Sequence, residues 1–295
     1  MSIATHDPGP HNRPVALAVD RDPDDGLLLF ALREATLRRA PLRLIHVRHR
    51  ASLSTDFAGD SAQILRQDPL DPDAAGHQVL EAIGGRLTTL AREYSDSAPT
   101  IEIVLAVGDV ARAVARQSLD AQTVIIGVDA GLGRWIAGRT ALGVALISRA
   151  PVIVVRGPGR PGPVGIAIPR EGASHHAIHE AFAAADRRGT SVRAIRATEQ
   201  LLADDELPPN RSRDDADIAE ILAGHRDEWP DIEVETVIHA GAAKWALLEE
   251  SERLSVLVVG SSAHGPVIGA LLGSVAVAML HHAECPVVIV PTSMS

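Results

Sequence analysis

At 295 residues the chain exceeds what one hydrophobic core usually organises, so two domains of ordinary size are expected. A composition of 46% hydrophobic and 22% charged residues matches soluble globular proteins and excludes wholesale disorder. The formal charge of -10, with no Lys/Arg run interleaved with aromatics, argues against a nucleic-acid partner, because a phosphate backbone is repelled at long range.

Aromatics supply only 2% of the residues, so Val, Ile, Leu and Ala must fill the core, which suits a buried parallel sheet under Ala/Leu-rich helices. The single cysteine, Cys285, cannot form an internal disulfide, and a reducing cytoplasm is the expected location. No apolar run approaches the roughly 20 residues of a spanning helix, and Met1 to Pro14 lacks the apolar stretch of an export signal, so neither membrane insertion nor export is expected.

Val15 to Val19 reads as a buried strand ending at Asp20 and a turn, Arg21 to Asp25. Gly26 to Arg39 has helical spacing, and Leu42 to Val47 forms a second strand. The polar stretch His49 to Gln78 is expected as a surface excursion with little helix. A helix over Val79–Tyr94, a strand over Ile101–Ala106, a short helix over Asp109–Ser118 and a strand over Val124–Ile126 follow. After a glycine-bearing loop, Ala141 to Arg149 is helical and Val152 to Val155 closes the series as a strand. Strict alternation of this kind implies parallel strands with crossover helices on both faces.

Gly157 to Pro163 holds three glycines and three prolines and is the expected linker; its prolines remove amide donors, so it is no phosphate loop. Beyond it the same order recurs. Strands are expected at Val164–Ile168, Val192–Ala197, Ile232–Ile238, Val256–Val259 and Val287–Val290, with helices at His175–Arg187, Asp215–Glu228, Ala242–Glu252 and Val275–His282. The copies register residue by residue: Gly108 answers Gly241, Gly127 answers Gly260, Gly138 answers Gly273, and Pro151 answers Pro286. We read an internal duplication, two unrelated α/β domains being the alternative. The expected organisation is a tail over 1–13, one domain over 14–156, the linker 157–163, and a second domain over 164–291.

The segment Val258 to Ala276, followed by a helix and Cys285 to Pro291, resembles the closing third of a universal stress protein domain. Gly260, Gly273 and Ser274 stand with the spacing of that family's phosphate-binding loop, although Ala263 replaces its second glycine. The chemistry is sound, since glycines let backbone amides approach phosphates and the loop leads into a helix N-terminus that favours anions. The first half departs further: Gly127 and Gly138 are two residues closer together, Ala130 replaces the second glycine, and Arg139 stands for the Ser/Thr. At the other end of the domain Asp20, and His46 with Val47 on strand two, match the family pattern near the nucleoside, whereas Pro169 and Arg196-Ala197 do not.

The resemblance thus implies two tandem doubly wound domains, each with a five-stranded parallel sheet. It implies ATP as ligand, with Mg accompanying it, chiefly in the second half, and a site drawn from Gly260, Ala263, His264, Gly273, Ser274, Asp20, Val47, Gly127 and Gly138. It also implies a role in stress response and a homodimer through edge strands, here Val152–Val155 and Val287–Val290, which must pair either between halves or between subunits. Asp20 serves equally well as a helix N-cap. His264 lies in the second loop, and the pairs His175-His176 and His281-His282 point about 100° apart on a helix, so neither pair is expected to share a metal ion. No nucleophile elbow, zinc-binding His motif or Walker lysine occurs, and no enzymatic turnover is expected. An assembly module without nucleotide and, behind it, a nucleotide hydrolase are the alternatives.

Overall fold

The computed structural model describes residues 13–48, 72–94, 98–128, 134–156, 159–170, 172–198, 211–261 and 272–291. In the first half β1 (Val15–Val19), α1 (Asp25–Leu37), β2 (Leu42–Arg48), α2 (Pro72–Tyr94), β3 (Ile101–Val107), α3 (Val110–Gln117), β4 (Thr123–Gly127), α4 (Arg134–Ile147) and β5 (Val152–Val155) alternate. In the second, β6 (Val164–Ala167), α5 (His175–Arg188), β7 (Val192–Thr198), α6 (Arg211–Glu228), β8 (Val234–Ala240), α7 (Ala243–Ser251), β9 (Val256–Gly260), α8 (Ser274–His282) and β10 (Val287–Val290) repeat the order.

All the strands join one ten-stranded sheet of order β3-β2-β1-β4-β5-β10-β9-β6-β7-β8. Each half is parallel throughout, with the same internal order, and β5 meets β10 antiparallel at the junction. The registers repeat as well: Val15 pairs with Leu42 and Thr123, and Val164 with Val192 and Val256. One face of the sheet packs Val15, Leu17, Val164 and Ile166 against Leu28, Leu80, Ile178 and Ile218 of α1, α2, α5 and α6. The other face packs Ala16, Val124, Leu257 and Val287 against Val114, Val144, Leu247 and Met279 of α3, α4, α7 and α8. Strands covered on both faces carry unbroken apolar runs, as Val287–Val290 does. The turns entering α3 and α7 share a device, since Gly108 (φ 130°) and Gly241 (φ 113°) occupy backbone that other residues resist.

Three expectations change. The first is α2, which starts at Pro72 inside the presumed excursion. Proline lacks the amide that a first helical position leaves unused, and Asp73 suits the positive end. Its inward stripe begins with Gly76, where a Cβ would lie 2.7 Å from Leu105 Cδ1, so close packing replaced the large apolar residue that would have signalled the helix. Residues 49–71 of that excursion lie outside the described residues. Secondly, α4 starts at Arg134, which puts Gly138 inside a helix, whereas its counterpart Gly273 is the N-cap of α8. The third correction concerns assembly. β5 and β10 pair with each other through Val154–Val287, Ile153–Val288 and Val152–Ile289, and their other edges are taken by β4 and β9. A homodimer through these two strands therefore has no free edge to use, because the edge-to-edge contact forms within one chain.

On one face of the junction α4 packs on α8. On the other, a buried ion-pair group ties α1 to α5. Arg38 bonds Glu34 (3.2 Å) and Glu180 (2.5 Å), Arg187 bonds Glu180 (2.9 Å), and Arg188 bonds Glu34, which is 1% exposed. Burial pushes the Glu180 carboxyl up, but the Arg38 and Arg187 guanidinium groups outweigh it and hold the carboxyl below its ordinary value. A carboxylate depressed in the folded state stabilises above its unfolded pKa, about 4.3, and that contribution is lost as pH falls through the native value. Glu180→Ala strands the Arg187 guanidinium and leaves Arg38 with Glu34 alone, and urea denaturation should register a loss of about 3–5 kcal/mol at neutral pH. The difference from wild type should shrink once the pH is below 4.

Candidate functional site

In an open α/β sheet the ligand crevice lies beyond the carboxyl ends of the strands, where the strand order reverses. In the second half that point falls between β6 and β9, which are neighbours although three helices separate them in sequence. A cavity of about 360 Å³ opens there. Its floor is Ala167 to Pro169 and Val259-Gly260, and its apolar wall includes Ile195, Ala197 and Leu247. Gly273, Ser274 and Val275 close it from the start of α8.

The N-termini of three helices reach this cavity: α5 through Ala173 and Ser174, α7 through Ala243, and α8 through Gly273 and Ser274. Only α5 has a side-chain cap, Ser174, which accepts from Ala177 N at 3.2 Å. The N-caps of α7 and α8 are Ala242 and Gly273, and neither supplies a side-chain hydrogen bond. First-turn amides are thus left for an incoming acceptor, and among the described residues none that lines the cavity carries a formal charge. The arrangement suits a ligand with an apolar body and an anionic end.

In the first half two of the corresponding helix ends, those of α1 and α3, are occupied by carboxylates. Asp24 caps α1 by accepting from Leu27 N (2.9 Å), and Asp109 caps α3 by accepting from Arg112 N (2.9 Å). Asp20 is exposed at the end of β1 and accepts from Asp22 N at 3.2 Å, so Asp24 and not Asp20 is the N-cap. Arg86 of α2 pins this turn through Asp22 (3.0 Å) and Asp25 (2.6 Å). The floor differs too. A Cβ built on Gly127 would lie 2.5 Å from Leu27 Cδ2, whereas at Gly260 the nearest atom is Ser174 Oγ at 3.8 Å.

Of the residues expected at the site, Gly260, Gly273 and Ser274 meet at one cavity. Ala263 and His264 lie outside the described residues. Gly127, Val47 and Asp20 sit at the strand ends of the first half, and Gly138 is drawn into α4. Val47 and Ala197 stand at the same step of β2 and β7, and Ala197 lines the cavity even though its local sequence departs from the family pattern. Sequence reasoning missed Ser174, Ala243 and Leu247; small or apolar residues at a helix start carry no signal until the chain is folded around them. Its neighbour Arg196 points to the opposite face, 2% exposed, near Asp214 (3.7 Å) and Asp217 (3.8 Å) of α6 and donating to Pro169 O at 3.4 Å. Cys285 is buried, and burial pushes its thiol up to about 12, which leaves it protonated and inert.

The model of the universal stress protein family matches residues 11–156 and again 163–291. The chain belongs to the universal stress protein family. It is a tandem member of it, and a universal stress protein of Mycolicibacterium smegmatis is 29% identical over 280 residues, covering 90% of this chain and 92% of that protein. A universal stress protein of Mycobacterium tuberculosis is 25% identical over 285 residues, with the same coverage of each chain. Among solved structures, a universal stress protein from Archaeoglobus fulgidus shares the fold with a TM-score of 0.64 at 17% identity, covering 95% of this chain and 97% of that one.

The two floor glycines of this family member should respond differently to a methyl group. Gly127→Ala must displace the buried Leu27 and should lose about 1–3 kcal/mol of stability, while Gly260→Ala should change it by less than about 1 kcal/mol, as read by chemical denaturation. Behind the cavity, His225 of α6 is buried against His175 (4.5 Å between ring centroids) and Phe182 (5.9 Å) of α5. Burial, then the neighbouring His175 and His179, holds its pKa below the ordinary value. A histidine depressed in this way stabilises above its unfolded pKa of about 6.5, and the contribution fades as pH falls below it. The melting temperature should therefore drop between pH 7 and pH 5 by less in His225→Phe than in wild type.

Proposed function

We propose that the chain is a cytoplasmic stress-response regulator that acts by binding an adenine nucleotide in its second half rather than by turnover. ATP with Mg is the ligand that the family resemblance suggests. One observation carries this reading: helix N-termini without acidic caps converge on a cavity floored by Gly260 and closed by Gly273 and Ser274. Amides of that kind bind phosphate oxygens without a lysine, and a cavity of about 360 Å³ with apolar walls is of the size that takes a small organic ligand. Pro169 stands where the first half has Asp20, and removing a carboxylate from the floor favours an anion further.

The same Pro169 supports a second reading, an assembly module that has given up nucleotide, because it offers neither a carboxylate nor an amide to a ribose. Calorimetric titration with Mg-ATP separates the two. Saturable binding is expected in wild type and in Asp20→Ala, and Gly273→Val should weaken it roughly tenfold or more, about 1.4 kcal/mol. Absence of heat together with an unchanged melting temperature at millimolar ATP would overturn the nucleotide reading and favour the assembly module. Accumulation of ADP during the titration would replace a binding role with hydrolysis.

A further inference from the structure

The duplication doubled the fold, and the two crevices are no longer equivalent. Leu27 and Ala177 are counterparts: each follows its helix N-cap by the same step, and each donates its amide to that cap, Asp24 or Ser174. The large side chain fills the space above Gly127 from the α1 side, with 5% exposure. The small one leaves the space above Gly260 open as far as Ser174 Oγ. Charge acts in the same direction. Asp24 and Asp109 occupy the helix ends that in the second half carry Ser174 and Ala242, so the first crevice presents two carboxylates where the second presents a neutral hydroxyl cap and an uncapped helix end.

From these contrasts we infer that Leu27, helped by the Asp24 and Asp109 caps, closes the first half to ligand, and that each chain takes one nucleotide molecule, in the second half. The inference rests on the nucleotide reading above and adds its stoichiometry and the residue that sets it. A Leu side chain in van der Waals contact with the floor excludes a phosphate sterically, and it cannot withdraw without leaving a void in the core that it shares with Val19 and Leu28. The two acidic caps would in addition face any phosphate with like charge.

The test is a reciprocal exchange on the full chain, with Mg-ATP and AMP as titrants. Wild type should bind one molecule per chain. Ala177→Leu should lose saturable binding while its far-ultraviolet dichroism stays that of wild type. The triple variant Leu27→Ala/Asp24→Ser/Asp109→Ser keeps a hydroxyl cap on both helices and should bind two. Should Ala177→Leu not fold, the triple variant still decides: one molecule per folded chain there would overturn the role given to Leu27. Two molecules per wild-type chain would refute the closure and leave the nucleotide reading intact, whereas none with either titrant would refute both.

Discussion

The molecule is organised by the antiparallel pairing of β5 with β10. Two five-stranded parallel sheets each end in a short apolar strand, and such an edge exposes unpaired amides and carbonyls that attract another chain. Pairing Ile153 with Val288 removes both edges at once and places the halves about a pseudo-twofold axis. From that single register follow the packing of α4 on α8, the meeting of α1 with α5, and the placement of the two crevices toward opposite ends of one sheet. The strands left at the outside, β3 and β8, are the more exposed ones.

A twofold arrangement of two halves with the same fold raises an electrostatic problem where equivalent charges approach each other across the axis. Arg38 and Arg188 stand at the same step from the starts of α1 and α5, Asp25 and His175. The chain resolves this repulsion asymmetrically. Glu34 on α1 and Glu180 on α5 do not occupy equivalent positions, yet between them they bond Arg38, Arg187 and Arg188. Identical halves could not form so asymmetric a group, whereas halves that differ in sequence can place their acids separately.

The crevices show the same loss of symmetry at the level of chemistry. A helix N-terminus is a partial positive charge that either a side chain or a ligand can satisfy. Asp24 and Asp109 satisfy it from within in the first half, and Ala242 and Gly273 leave it open in the second. Leu27 and Ala177 repeat the contrast in volume. One copy has become packing and capping, and the other has kept its space.

The repeat, the alternation of strands and helices, the parallel character of each half and the glycines Gly260 and Gly273 were legible in the order of residues, because periodicity and glycine spacing are local properties. The start of α2 was not, since Gly76 carries no apolar signal, nor was the role of Gly138, since helix ends depend on what the preceding loop allows. Folding in three dimensions pairs β5 with β10 within the chain, makes Glu34 and Glu180 bridging acids, and lays Leu27 on Gly127 while Ala177 leaves Gly260 clear. Each of these is a contact between residues far apart in the chain. Such contacts depend on volume and direction in three dimensions, which a linear pattern does not encode.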